Sequence, residues 1–291
     1  MRSWLFIPGD SERKLAKLDR LEADAVILDL EDAVLPSSKT VARQRVRDTL
    51  DARPGPRGRP LWVRINPLEG PLALEDLAAV VGGRPDGVML PKFSTVAELQ
   101  RLDAALAALE VRENLAPGSV PLVAVATETA RSLFELGALG RVGPRLQGIT
   151  WGAEDLAVDL GAAANRDEEG RWLPTYQLAR SLVLAGAAAA GVQAIDTVYT
   201  NFRDPSGLRE SCRHARRDGF TGKLAIHPDQ VAIINEAFTP DEDECRWARE
   251  VLAAFEAGGG EGALSLDGKL LDAPHLRQAE RILAQARQSA R

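Results

Sequence analysis

The residues best suited to chemistry are a scattered set of acids and bases. They are Asp29-Leu30-Glu31-Asp32, Arg64 beside Asn66, Lys92 after Pro91, Glu128 between Thr127 and Thr129, and Glu154-Asp155 after Gly152-Ala153, with Asp196 and His227 further on. Carboxylates without accompanying His or Cys suit a hard cation. Mg²⁺ characteristically takes one or two protein carboxylates and completes its octahedron with water and substrate oxygens. Glu128 and Asp155 are the natural pair for it, and Arg64 is suited to clamp a carboxylate through its planar fork. Such a site could cleave a carbon–carbon bond next to a carbonyl, since a metal polarises the oxygens of a departing 2-oxo acid and fixed charges stabilise the enolate left behind. Each residue also has a structural alternative. Asp29 to Asp32 and Asp155 could cap helices, and Arg64 and Lys92 could be charge partners of those acids. His227, before Pro228, has no second His or Cys at metal spacing and is read as a structural residue at a strand end.

These groups share a position in the chain pattern: each follows or closes a short apolar run. Eight runs have strand character: Trp4–Ile7, Ala25–Leu30, Leu61–Ile65, Gly87–Leu90, Leu122–Ala126, Gly148–Trp151, Val192–Ile195 and Lys223–Ile226. Segments of helical spacing lie between them, among them Ser11–Leu21, Ser37–Leu50, Ser94–Leu109 and Tyr176–Ala190, several opened by Ser or Thr suited to N-capping. Strands alternating with helices predict a parallel sheet, and eight is the number of an α/β TIM barrel, whose chemistry sits at the carboxyl ends of the strands. A doubly wound open sheet is the alternative. The barrel would span residues 1–238. Residues 239–291 would form a C-terminal extension with a helix from Thr239-Pro240-Asp241 to near Ala257, a Gly258-Gly259-Gly260 hinge and a lid segment.

Bulk composition narrows the class. The 291 residues carry 36 Lys plus Arg against 42 Asp plus Glu, a net charge of −6, which gives no electrostatic footprint for nucleic acid or an anionic membrane. Cys212 and Cys245 are far apart and in no metal or CxxC spacing, as expected of reduced thiols in a cytoplasmic protein. Neither the N-terminal apolar run nor the Ala-rich stretch from Ser181 to Ile195 is long enough for a signal core or a membrane span.

The blocks Arg2-Ser3-Trp4-Leu5-Phe6-Ile7-Pro8-Gly9, DLEDAV from Asp29 to Val34, Val63-Arg64-Ile65-Asn66, Pro91-Lys92, Glu128-Thr129, Gly152-Ala153-Glu154-Asp155 and GKLAIHPDQ from Gly222 to Gln230 stand in one order along the chain. In that order the sequence resembles the citrate lyase β-subunit-like family, related to malyl-CoA and citramalyl-CoA lyases. The resemblance implies a TIM barrel, Mg²⁺ held by Glu128 and Asp155, and a 2-oxo acid such as oxaloacetate, glyoxylate or pyruvate bound by the metal and Arg64, with Lys92 also at the substrate. It implies a thioester substrate carried on CoA or acyl carrier protein, with Phe6 and Lys17 at cofactor-binding positions, although Ser11 stands where some relatives have Arg. Asp267 to Pro274 resembles the family's lid, whose acid, here Asp272, works in a neighbouring subunit's site. A closed homo-oligomer such as a trimer follows from that exchange. Hydrolysis of the thioester on the same scaffold, aldol cleavage of a free acid, and a non-catalytic subunit of a lyase complex are the competing readings.

Overall fold

The computed structural model describes residues 1–257, 264–266 and 269–289. Eight parallel strands close into a barrel in chain order: β1 (Ser3–Pro8), β2 (Ala25–Asp29), β3 (Leu61–Arg64), β4 (Gly87–Leu90), β5 (Leu122–Ala126), β6 (Leu146–Trp151), β7 (Gln193–Asp196) and β8 (Gly222–Ala225). The seam is closed by β8 against β1, with Trp4 opposite Leu224. This is the TIM barrel expected from the alternation, and an open doubly wound sheet is excluded by that closure.

Strand residues alternate between the lumen and the helix layer, so parity fixes what each side chain faces. The lumen is filled by Trp4, Ala25, Ile27, Trp62, Met89, Val123, Val125, Ile195 and Leu224, with Phe6 packed against them. Trp4 and Trp62 meet edge to face, centroids 5.1 Å apart, a geometry favoured by the ring quadrupoles. Gly87 makes room for Trp62, because a Cβ on it would overlap the indole. Continuing the parity along β2 and β3 carries Asp29 and Arg64 to the mouth of this lumen.

The helices are α1 (Glu12–Leu15), α2 (Lys39–Asp51), α3 (Leu72–Val80), α4 (Val96–Arg112), α5 (Ala153–Asp159), α6 (Pro174–Ala190), α7 (Pro205–Asp218) and α8 (Asp229–Ala237). Two expectations are corrected. Ser11–Leu21 is not one helix: after α1 the hydrogen bonding shifts to Lys17 N–H on the Lys14 carbonyl, and a 3-10 turn covers Leu18–Arg20. Leu15 and Leu18, both buried, are spaced by three, which suits the tighter turn. The Arg59 guanidinium then takes up the carbonyls of Leu18, Leu21 and Ala23. Nor do Ser11, Ser38 and Thr95 cap their helices through their hydroxyls. At α4 Glu98 reaches back instead, accepting the Ser94 N–H at 2.9 Å and the Thr95 hydroxyl at 3.3 Å. The β5-to-β6 connection contains 3-10 turns at Arg131–Phe134 and Leu136–Arg141 in place of a long helix. Among the described residues no helix is long and apolar enough to cross a membrane.

The chain divides into two compact units, Met1–Ile234 and Asn235–Arg291. The second contains α9 (Glu242–Ala257), α10 (Ala273–Ser289) and an antiparallel pair, β9 (Leu264–Leu266) and β10 (Lys269–Leu271). Ala248, Val251, Phe255, Leu271 and Ala279 form its own small core. The Gly258–Gly260 hinge and the first two residues of the expected lid segment, Asp267 and Gly268, lie outside the described residues.

Candidate active site

Arg64 closes β3, and its side chain lies across the mouth of the lumen. Its Nε and Nη2 donate to the two carboxylate oxygens of Asp29 at 2.7 and 2.6 Å, while Nη1 lies 3.0 Å from Glu31 Oε2. Phe6, from β1 on the far side of β2, lies against the guanidinium at 4.6 Å from its ring centroid. The fork expected to meet a ligand carboxylate is therefore held by Asp29 on one edge, with Nη1 on the other. Asp29 also accepts the N–H groups of Glu31 and Ala33. It thus organises its own turn and caps no helix, since α2 begins only at Lys39. Burial alone would depress the Arg64 pKa, but its bonds to Asp29 outweigh that and hold it well above the ordinary value.

Lys92 and Glu128 occupy the ends of the neighbouring strands β4 and β5. The Lys92 backbone N–H donates to Glu128 Oε2 at 2.6 Å. Its ammonium pairs with Glu31, with Asp32 at 2.7 Å and with Asp155 at 3.2 Å. Glu128 is 6 % exposed, and β6 leaves space for it: a Cβ on Gly152 would fall 2.5 Å from Glu128 Cγ. Burial, and then the charge of Asp155, push the Glu128 carboxyl up to about 8. Glu31 is raised as well, first by burial, with Arg64 and Lys92 opposing the shift. Lys92 is raised because its bonds to Asp32 and Glu31 exceed the cost of its burial.

The site thus gathers Arg64, Lys92, Glu128 and Asp155 at one rim, as expected from their shared place in the pattern. Among the described residues no group of three or more His, Cys, Asp and Glu side chains is arranged to hold a metal. A hard cation here would draw on Glu128 and Asp155, with the remaining oxygens supplied from outside. The two carboxylates repel one another, and a divalent ion between them would offset that cost.

Sequence reasoning missed the layer behind this rim. Lys39 Nζ donates to the carbonyls of Leu30 and Glu31 and to Asn66 Oδ1. Asn66 in turn donates from backbone and side chain to Asp76, which Arg43 also holds at 2.6 Å. Asp76 is fully buried on α3, and its spacing there does not separate it from a solvated helix acid.

Other candidates fall elsewhere. Asp196, one of the strand-end series, does not join the rim. Its neighbour Ile195 faces the lumen, so Asp196 points outward to Lys223 at 2.5 Å, Trp151 Nε1 at 2.8 Å and Arg180 of α6 at 3.6 Å. This network fastens the helix layer to the barrel. His227 stacks on Phe202, centroids 5.1 Å apart. Lys17 is exposed in the turn after α1. Asp272 precedes α10 in the second unit, its Oδ1 2.6 Å from His275 Nδ1.

The HpcH/HpaI aldolase/citrate lyase family model matches residues 2–228, and a model described as a C–C bond lyase of the TIM-barrel fold matches residues 174–289. The mitochondrial citramalyl-CoA lyase of Rattus norvegicus is 36% identical over 300 residues, covering 98% of this chain and 86% of that protein. A (3S)-malyl-CoA thioesterase of Cereibacter sphaeroides is 37% identical over 287 residues, covering 98% and 94%. The structure of protein CitE from Mycobacterium tuberculosis in complex with magnesium, acetoacetate and coenzyme A superposes with a TM-score of 0.80 at 34% identity, covering 98% and 97%. The chain therefore belongs to the HpcH/HpaI aldolase/citrate lyase family and is a carbon–carbon lyase.

Proposed function

We propose that this enzyme is a Mg²⁺-dependent lyase that cleaves a malyl-, citramalyl- or citryl-type acyl thioester into a 2-oxo acid and a smaller acyl thioester. The observation that carries this reading is the buried Glu128 carboxylate, raised by burial and by Asp155 beside it, within a rim that also presents Arg64 and Lys92. The residues fit the ion, because the donors are oxygens only and two carboxylates in mutual repulsion are stabilised by a divalent charge. When bound, Mg²⁺ supplies Lewis-acid polarisation of the oxo-acid oxygens.

The chain's own groups do the rest. Arg64 keeps one edge on Asp29 and offers Nη1, which now faces Glu31, to the oxo-acid carboxylate. Lys92 balances Glu31, Asp32 and Asp155 so that an anionic substrate does not meet uncompensated carboxylates. In cleavage the substrate hydroxyl gives its proton to a general base and becomes the oxo group, the electron pair of the carbon–carbon bond passes to the acyl half, and the resulting enolate of the smaller thioester takes a proton from a general acid. Asp272 is the group assigned to that proton transfer. It acts from the lid of a neighbouring subunit in a closed ring such as a homotrimer, with Phe6 and Lys17 at the CoA portion. Acyl carrier protein is the alternative thioester carrier, and work beside partner subunits of a lyase complex is the alternative assembly. The buried free thiols Cys212 and Cys245 are in keeping with a cytoplasmic setting.

Hydrolysis of the thioester is a second reading, favoured by the name of the Cereibacter relative. Calorimetric titration with glyoxylate or oxaloacetate, with and without Mg²⁺, tests the site. Glu128→Gln and Asp155→Asn are expected to abolish Mg²⁺-dependent binding, and undiminished binding in either variant removes that residue from the metal site.

A further inference from the structure

Two residues with a side chain adopt left-handed backbone at adjoining strand ends: Lys92 after β4, with φ of 52°, and Thr127 after β5, with φ of 68°. For lysine this is uncommon; for a β-branched threonine it is a genuine outlier, which persists only where the surroundings impose it. Thr127 is fully buried, and its hydroxyl has no hydrogen-bond partner among the described residues. The side chain therefore gains nothing that would explain the backbone.

The surroundings do explain it. The Thr127 N–H donates to Ser132 Oγ at 3.0 Å, and the Ser132 hydroxyl donates to the Thr129 carbonyl at 2.7 Å, closing residues 127–132 on themselves. The Thr129 hydroxyl donates to the Phe93 carbonyl at 3.1 Å, the Ser94 hydroxyl to Thr129 Oγ1 at 3.3 Å, and the Lys92 N–H to Glu128. The two strand-end loops are thus laced together, with Glu128 inside the lacing. Regular alternation past Val123 and Val125 would turn residue 128 outward, on the side of Ala124 and Ala126, towards the helix layer. A single left-handed residue before it reverses that sense. It brings the carboxylate to the Lys92 N–H and to the space that Gly152 leaves.

We propose that Thr127 is a positioning residue whose left-handed backbone, held by Ser132 and the lacing to residues 92–94, aims the Glu128 carboxylate at the cation site. This rests on the reading of Glu128 as a metal ligand, and what matters is the backbone conformation rather than the hydroxyl. Glycine and asparagine adopt left-handed backbone readily, proline cannot adopt it, valine keeps the branched shape of threonine without the hydroxyl, and serine keeps the hydroxyl.

The test is the affinity for Mg²⁺ alone, by isothermal titration, in a substitution series of the full chain, with melting temperature recorded beside it. Thr127→Gly, Thr127→Asn and the nearly isosteric Thr127→Val are expected to bind Mg²⁺ within about twofold of the wild type, and Thr127→Pro to bind roughly tenfold or more weakly, the usual scale for groups that orient a metal ligand. Affinity that follows the hydroxyl instead, retained in Thr127→Ser and lost in Thr127→Gly, Thr127→Asn and Thr127→Val, overturns the proposal, as does wild-type affinity in Thr127→Pro. Should Thr127→Pro fail to fold, Ser132→Ala takes its place: weakened Mg²⁺ binding supports the proposal and unchanged binding overturns it. Glu128→Gln separates the two levels. If it binds Mg²⁺ like the wild type, the reading of Glu128 fails; if it loses Mg²⁺ while Thr127→Pro does not, only the positioning role fails.

Discussion

At the scale of single residues, Glu128 carries the strongest electrostatic tension in the site. Burial and the charge of Asp155 push its carboxyl up to about 8 in the fold, from an ordinary value of 4.5. A carboxyl raised on folding contributes stability while it is protonated, fully so below its unfolded value, and that contribution is lost as pH rises through the folded value. The window is therefore about pH 4.5 to 8, and the amount is on the order of a few kcal/mol. Without added metal, the melting temperature of the wild type should fall relative to that of Glu128→Gln as pH rises across this window. Parallel curves for the two proteins would contradict it. Mg²⁺ should narrow the difference, because the ion favours the ionised carboxylate that the apo site penalises. The key residues of this site could be read in the sequence because each sits beside a strand end. Arg64 was legible as a carboxylate binder and as a charge partner of the acids from Asp29 to Asp32, but which acid takes its bidentate edge is a matter of the register between β2 and β3. Thr127 gave no signal at all. A left-handed threonine is imposed by hydrogen bonds from Ser132 and the 92–94 loop, and no local pattern encodes them.

At the scale of elements, the eight strands were legible because each is a short buried run punctuated by turn residues, and Gly87–Leu90 and Leu122–Ala126 fall where the pattern puts them. The helices were less so. Apolar spacing of three and of four coexist between Ser11 and Leu21, and tertiary anchoring by Arg59 decides for the tighter turn. Asp196 misled for a related reason: its place at a strand end is shared with the rim residues, but its parity turns it outward. The packing of β5 against β6 supplies the element-scale prediction. Gly152 follows β6 and lies directly under Glu128, so Gly152→Ala must push the carboxylate away. Overpacking of this kind costs roughly 1–3 kcal/mol. Here the movable partner is a proposed metal ligand, so Mg²⁺-dependent oxo-acid binding should suffer more than the fold. Circular dichroism melting and calorimetric binding on the same sample would check this, and a variant that melts early yet binds normally would contradict it.

At the scale of the whole molecule, the barrel carries the rim of Arg64, Lys92, Glu128 and Asp155, while the second unit holds Asp272 beside His275. If Asp272 serves a neighbouring subunit, Asp272→Ala should bind oxo acid and fail in turnover, whereas Glu128→Gln should fail in both. Subunits of the two inactive variants, dissociated and reassembled in equal amounts, should then regain activity at about a quarter of the sites, those pairing an intact rim with an intact neighbouring tail. No recovery in verified mixed oligomers would remove the exchange and leave a tail that serves its own chain. The central claim, Mg²⁺-dependent carbon–carbon cleavage of an acyl thioester, is tested most directly by product analysis of the purified chain given malyl-CoA or citramalyl-CoA. The account predicts equal amounts of acetyl-CoA and of glyoxylate or pyruvate, abolished by EDTA, restored by Mg²⁺ and absent in Glu128→Gln. Release of free CoA thiol with no oxo acid, or cleavage indifferent to EDTA, would contradict it.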